Sequence, residues 1–314
     1  MTPNAAPRFT PLTGLYEPSA IVQLADGRFL IVEDEKDHPL SLVSLERNGT
    51  VESRHVTPGF FEFDDGFWKL DDLEGLTLAP SGWIYAVTSQ SLDGDGDAKK
   101  SREKLVRFRI KGDRVVDGHA VRGLKPALLA AHPALAAAAR IRDVKSGGGL
   151  NVEALEASPD GRCLWLGLRG PVLDQRAILA CIENPSAIFD TNETPRIAPR
   201  LETLDLGGQG VRGLSYVPSL GGYLLIAGPV GPEEGSFRLW FWSSETGSPA
   251  RRVRLPGVTG IEHAEGICPA VLDGRPCLVI VSDDGNRAAG RHARFLVLEL
   301  ASSGLTVDPL DPAR

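Results

Sequence analysis

An all-β fold, a single β-propeller of five four-stranded blades, is what three features of this sequence predict together. A short segment, Asp71-Asp72-Leu73-Glu74-Gly75-Leu76, returns in variant form four more times. The variants are Glu17-Pro18-Ser19-Ala20-Ile21, Asn151-Val152-Glu153-Ala154-Leu155, Gly210-Val211-Arg212-Gly213-Leu214 and His263-Ala264-Glu265-Gly266-Ile267. Each copy precedes a tight turn and then a second apolar, β-branched run, at 29–32, 83–87, 163–168, 223–226 and 277–281. Repeats about 50 residues long made of short strands are the signature of a propeller, and neither WD dipeptides nor kelch patterns are present.

The first repeat, 17–56, divides into strands at 19–24, 29–34, 40–45 and 51–56. The second, 72–121, gives 74–78, 83–88, 104–110 and 115–121, and the alternation in Lys104-Leu105-Val106-Arg107-Phe108-Arg109-Ile110 is that of a half-buried strand. The third, 151–206, gives 152–157, 163–168, 177–183 and 200–206; the fourth, 210–255, gives 211–217, 223–227, 237–242 and 251–255. The fifth, 263–314, supplies 265–269, 277–282 and 294–300. Its outer strand comes from 305–309 or from the N-terminal stretch 8–12, and the latter is preferred because it would lock the ring and leave no sheet edge open. A sixth blade, too degenerate to recognise, is the alternative count.

The turns inside the first hairpins, such as Ala25-Asp26-Gly27 and Pro80-Ser81-Gly82, are short and use ordinary turn residues. Most long connections fall on the opposite face, the top. There lie 57–71 with Phe60, Phe61, Phe63, Phe67 and Trp68, the connections 91–103 and 284–293, and an insertion at 123–149. In that insertion Pro133 and the alanines after it predict a short helix that caps this face. Long loops on one face of a rigid scaffold usually carry the site. The connection 184–199 belongs to the bottom.

A net charge of −7 excludes a nucleic-acid surface, which needs clustered Lys and Arg. No apolar run is long enough for a membrane span, and Met1-Thr2-Pro3-Asn4-Ala5-Ala6-Pro7 lacks the pattern of a secretory signal, so a cytoplasmic protein is expected. The four cysteines, Cys163, Cys181, Cys268 and Cys277, fall in apolar strand runs and are read as buried thiols.

Aligning the five inner strands puts Ser19, Glu74, Glu153, Arg212 and Glu265 at one level of the central channel. Glu17, Asp72, Asn151, Gly210 and His263, two positions earlier, face the same way if the strands alternate regularly. The ends of the second strands add Glu33, Asp34, Arg169, Asp283 and Asp284. Three glutamates converging at about 5 Å would repel by roughly 10 kcal/mol at an effective dielectric of about 20. Three arrangements answer that repulsion. Arg212 and Arg169, aided by Lys145 from the cap, can neutralise the ring as a salt-bridged plug. Ca2+ or another divalent cation can be held by Glu74, Glu153, Glu265, Asp72 and Asn151, oxygen ligands of the type a hard cation takes. Or a small-molecule ligand can sit at the channel mouth against Arg169, Arg212, Glu17, Asp34, Asp283 and Trp68.

His38, His132, His263 and His292 map to the top face, and His263 is the best placed to act as a general base. The run Asp93-Gly94-Asp95-Gly96-Asp97 begins like a calcium loop but has Ala98 and Lys104 at positions that need Gly and Glu, so it reads as an acidic turn.

The repeated [D/N/H]-x-E-[G/A]-[L/I] start followed by Ser/Pro-x-Gly turns resembles the bacterial propeller family catalogued as domain of unknown function 3616. More distantly it is similar to the phytase-like esterase propellers. The first likeness implies a propeller without an assigned activity; the second implies ester or phosphoester hydrolysis with a metal, with Asp72, Glu74, Gly75, Glu265 and Gly266 matching the motif. Arg212 departs from it by placing a cation where a ligand would stand. The expectation is therefore a propeller that hydrolyses a small ester, lactone or phosphoester, with Glu74, Glu153 and Glu265 on the cation, His263 moving the proton, and Arg169 with Arg212 steadying negative charge. The alternative is a non-catalytic propeller that binds a small ligand or a protein partner on its top face through Trp68 and its neighbours.

Overall fold

The computed structural model describes residues 7–35, 38–46, 49, 51–58, 66–232, 235–245, 247–258 and 260–309. Phe60, Phe61 and Phe63 lie outside them, as does the side chain of Lys145. Five antiparallel sheets are arranged as blades of one all-β propeller.

The innermost strands are Pro18–Gln23, Leu73–Leu78, Asn151–Ala157, Gly210–Val217 and Ala264–Leu272, each lying against the next and the fifth against the first. Outward from them run Phe29–Glu33, Ile84–Thr88, Leu164–Leu173, Gly222–Gly228 and Arg275–Ser282, then Leu40–Leu45, Lys104–Lys111, Arg176–Ile182, Arg238–Trp242 and Arg294–Glu299. Fourth outward in the first four blades are Val51–His55, Arg114–Arg122, Glu202–Leu204 and Arg251–Arg254, and Thr57–Pro58 adds a short parallel pair outside Arg114–Arg122. Thr10–Pro11 takes the outer place in the fifth, antiparallel to Arg294–Glu299, so the first and last blades are joined by strand pairing. Thr306–Val307 pairs instead with the fourth blade, along Arg251–Arg254.

The burial gradient explains the sequence pattern. Phe29–Glu33 and Ile84–Thr88 are buried throughout, because neighbouring blades cover both faces, and they read as continuous apolar runs. Val51–His55, at the rim, is almost wholly exposed and polar. The apolar core is five separate clusters, one in each gap between blades. In that between the second and third blades Leu124, Leu128, Leu135 and Ala138 of the 123–149 insertion join the strand residues. The insertion forms three short helices, Leu124–Ala131, Pro133–Ala138 and Val144–Gly147, where the sequence predicts one. His132 Nδ1 accepts from the Ala134 amide to start the second, and Asp143 Oδ1 from the Ser146 amide to start the third.

Two expectations are corrected. Cys163, just before the strand Leu164–Leu173, and Cys181, on the adjacent strand, are not the expected thiols; their Cα atoms are 6.0 Å apart and they are joined as a disulfide. Trp68, expected at the channel mouth, packs with Phe67 on the cluster between the first and second blades and is not among the residues that line the channel.

Candidate functional site: a divided acidic channel

All five inner strands carry a register shift at one level, between Pro18 and Ala20, Leu73 and Gly75, Val152 and Ala154, Val211 and Gly213, and Ala264 and Gly266. The residue left between each pair is Ser19, Glu74, Glu153, Arg212 or Glu265. A bulge re-aims its extra side chain, and here it sends all five to the axis. The small residue after it follows from the close approach of the next blade. A Cβ on Gly213 would stand 2.0 Å from the Glu265 carbonyl oxygen, and one on Gly75 would stand 2.7 Å from the Leu155 amide nitrogen. Asp72 and His263, two positions before their glutamates, precede the regular ladder in left-handed conformation, with φ of 63° and 60°. Regular alternation therefore does not fix where they point.

The channel opens to the top as a cavity of about 750 Å3, a size that accommodates a small molecule. Nine carboxylates and four arginines line it. Leu92 to Gly96 and Arg142 to Val144 form its upper wall, so the 91–103 connection and the cap both cover the mouth. The Asp93 carboxylate accepts from the amides of Asp95 and Asp97 and pairs with Lys99 at 2.5 Å, which makes this segment a closed acidic turn.

The ring of glutamates is divided into two halves of different chemistry. In the half built by the third, fourth and fifth blades, Glu153 is saturated. Its Oε1 accepts from Asn151 Nδ2 at 2.8 Å and Arg169 Nη1 at 3.1 Å, and its Oε2 from Arg212 Nη1 at 2.9 Å. The same Arg212 nitrogen donates to Glu265 Oε1 at 2.8 Å. Both arginines also donate to a connection the sequence did not single out: Arg212 to the Pro229 carbonyl, Arg169 to those of Val230 and Gly231. Three donors leave Glu153 with little lone-pair capacity for a cation, whereas Glu265, with one donor on Oε1, keeps Oε2; the acids grouped closely enough to share an ion are Asp34, Asp72 and Glu74.

In the other half, ligand oxygens of Asp34, Asp72 and Glu74 lie within 4.8 Å of one another. Asp72 also accepts from Arg102 Nη1 at 2.7 Å and from Ser91, while Arg102 reaches Asp71 at 3.3 Å. Glu74 is 9% exposed and, among the described residues, has no hydrogen-bond or ion-pair partner. Burial, then the neighbouring Asp72, Glu153, Glu265 and Asp34 charges, push its carboxyl well above the usual range. Asp34 is pushed up to about 8 by burial and by Asp72. Burial raises Glu265 too, against the pull of Arg212, and Asp283 to about 6.

Of the other predicted residues, His263 lines the mouth, exposed, its ring 5.7 Å from that of Phe237. A side cleft of about 620 Å3 continues from there, between Arg169, Arg212, Pro229, Pro232, Phe237 and His263. Asp283 and Ser19 face the channel. Glu17 is not among its lining residues. Asp284 turns outward to Arg294, and Glu33, pushed to about 7 by burial, accepts from the Tyr16 amide and Ser41. His38 stacks on His55 at 3.9 Å, and His292 accepts from the Gly14 amide, so neither enters the site. Arg102 and the 229–237 connection were not foreseen. Only the surplus of acids opposite Asp72 signalled that a cation such as Arg102 was needed.

Fold and channel define a five-bladed propeller with a polar axial site capped on one face. The family model described as a protein of unknown function, DUF3616, matches residues 126–297, and the chain belongs to that family. No curated protein matches it. Among solved structures, it is similar to a GH32 β-fructofuranosidase mutant of Bombyx mori in complex with sucrose, at 11% identity and a TM-score of 0.50, over 99% of this chain and 67% of that one. The PQQ-bound aldose sugar dehydrogenase of Streptomyces coelicolor is 15% identical with a TM-score of 0.41, over 95% of this chain and 99% of that one. The periplasmic gluconolactonase of Pseudomonas aeruginosa is 15% identical with a TM-score of 0.39, over 94% and 82%. Identities this low bear on the fold alone. Among the described residues, no helix is long and apolar enough to cross a membrane.

Proposed function

We propose that the top of the channel is a divalent-cation site held by Asp34, Asp72 and Glu74, and that the protein uses it to hydrolyse a small ester, lactone or phosphoester. The supporting observation is Glu74: a carboxylate nine-tenths buried, without a donor, beside two other carboxylates. Pairs of such charges at about 5 Å repel by roughly 3 kcal/mol each at an effective dielectric of about 20, so a proton or a cation must enter the cluster. The residues fit a cation, since oxygens within 4.8 Å of one another can all reach a common ion at about the 2.3–2.6 Å of Ca2+ coordination. Arg102 leaves Asp72 a lone pair facing the cluster and holds it in place.

A bound cation would polarise the scissile carbonyl or phosphoryl group. Arg169 and Arg212 hold Glu153 and Glu265 in place as the opposite wall, rather than steadying negative charge directly. His263, at the mouth and open to water, carries the proton between site and solvent. The cap and the 91–103 connection limit the entry of bulk water.

Metal analysis of the purified protein, with melts in EDTA and in excess Ca2+, tests the site. One metal per chain and a melting temperature that falls in EDTA and recovers with Ca2+ are expected. A Glu74→Gln variant that kept both its metal and hydrolysis of an identified substrate would refute the proposal.

A further inference from the structure

The channel's donors and acceptors are unevenly spent, and this bears on the substrate. Each guanidinium group on its wall is committed. Arg212 serves Glu153, Glu265 and the Pro229 carbonyl; Arg169 serves Glu153 and the carbonyls of Val230 and Gly231. Arg102 serves Asp71, Asp72 and Ser91, and Arg142 the Asp95 carbonyl and Asp97. One buried donor, Arg212 Nε, is unmatched. Acceptors are in surplus. The Asp283 carboxylate and Glu265 Oε2 face the space and, among the described residues, have no hydrogen-bond donor; Glu265 is 9% exposed. A confined acceptor without a donor is satisfied when a ligand brings the missing hydrogen.

We infer that the channel takes an uncharged, hydroxyl-rich substrate and turns away phosphorylated or carboxylated ones. Hydroxyl groups supply the hydrogens that the Asp283 carboxylate and Glu265 Oε2 lack. A phosphate dianion supplies no hydrogens to this wall. It would meet nine carboxylates, and bound anions are normally held by arginines that are free to present two donors. A single divalent cation at Asp34, Asp72 and Glu74 offsets only part of that field. The inference rests on reading the channel as a substrate site and narrows the proposed hydrolysis to neutral esters and lactones.

Matched probes test it: D-glucose, glucono-1,5-lactone and myo-inositol, each beside its monophosphate, with binding followed by ligand-observed NMR and calorimetry in Ca2+. At least one neutral probe should bind tenfold or more tighter than its phosphate, and Asp283→Ala should weaken that binding about tenfold without changing metal content. Equal or tighter binding of a phosphorylated partner, no binding by any neutral probe, or an unaffected Asp283→Ala would overturn the inference. Because binding is read without turnover, neutral probes that bind but are never hydrolysed would refute the proposed hydrolysis and leave the substrate class standing.

Discussion

At the scale of single residues, the two halves of the channel should respond in opposite ways to loss of a carboxylate. Glu153 is held by two buried guanidinium groups, so Glu153→Gln strands positive charge in the interior and should cost roughly 3 kcal/mol in urea unfolding. Glu74→Gln removes a charge that has no partner. In EDTA it should raise the melting temperature and abolish any rise on adding Ca2+. The pH dependence has a matching sign. Asp34 binds its proton more tightly folded than unfolded, with its pKa raised from near 4 to about 8. Stability is then full below about pH 4 and is lost as pH rises towards 8. Melting temperatures in EDTA should fall between pH 5 and 8, and Ca2+, which favours the ionised cluster, should flatten that slope. Which acids converge was legible in the repeated motif. Which of them are neutralised was not, because Arg102 and the carbonyls of 229–231 come from connections with no recurring pattern to align.

At the scale of elements, the bulge is what turns the repeat into a site. The motif showed that an acidic residue is followed by glycine or alanine, but a register shift is a property of the pairing between two strands and has no signature in one strand read alone. Its steric basis makes a sharp test. Gly213→Ala places a methyl group against a carbonyl oxygen of the neighbouring blade and should cost at least about 2 kcal/mol. Gly27→Ala, at a turn with open space around it but a φ of 89°, should cost about 1 kcal/mol by denaturant unfolding. The strands themselves were readable because blades that bury both faces need unbroken apolar runs. The cap was misjudged in detail because its helices are held by packing of Leu124, Leu128 and Leu135 on the blades, and single turns of helix have weak local signals.

At the scale of the whole molecule, closure depends on two residues of strand. Removing residues 1–11 should uncover the edge of Arg294–Glu299, lower the melting temperature by several degrees and promote association visible in light scattering. The same pairing sets a schedule for synthesis. Thr10 meets Phe295, so about 285 residues must leave the ribosome before the two can touch. At the usual 5–20 residues per second the first segment waits roughly a quarter of a minute to a minute for its place. Neighbouring blades can stack during that interval, but the five bulged residues cannot assemble around a common axis. The channel of the nascent chain is therefore incomplete, and its edges open, until the final blade emerges.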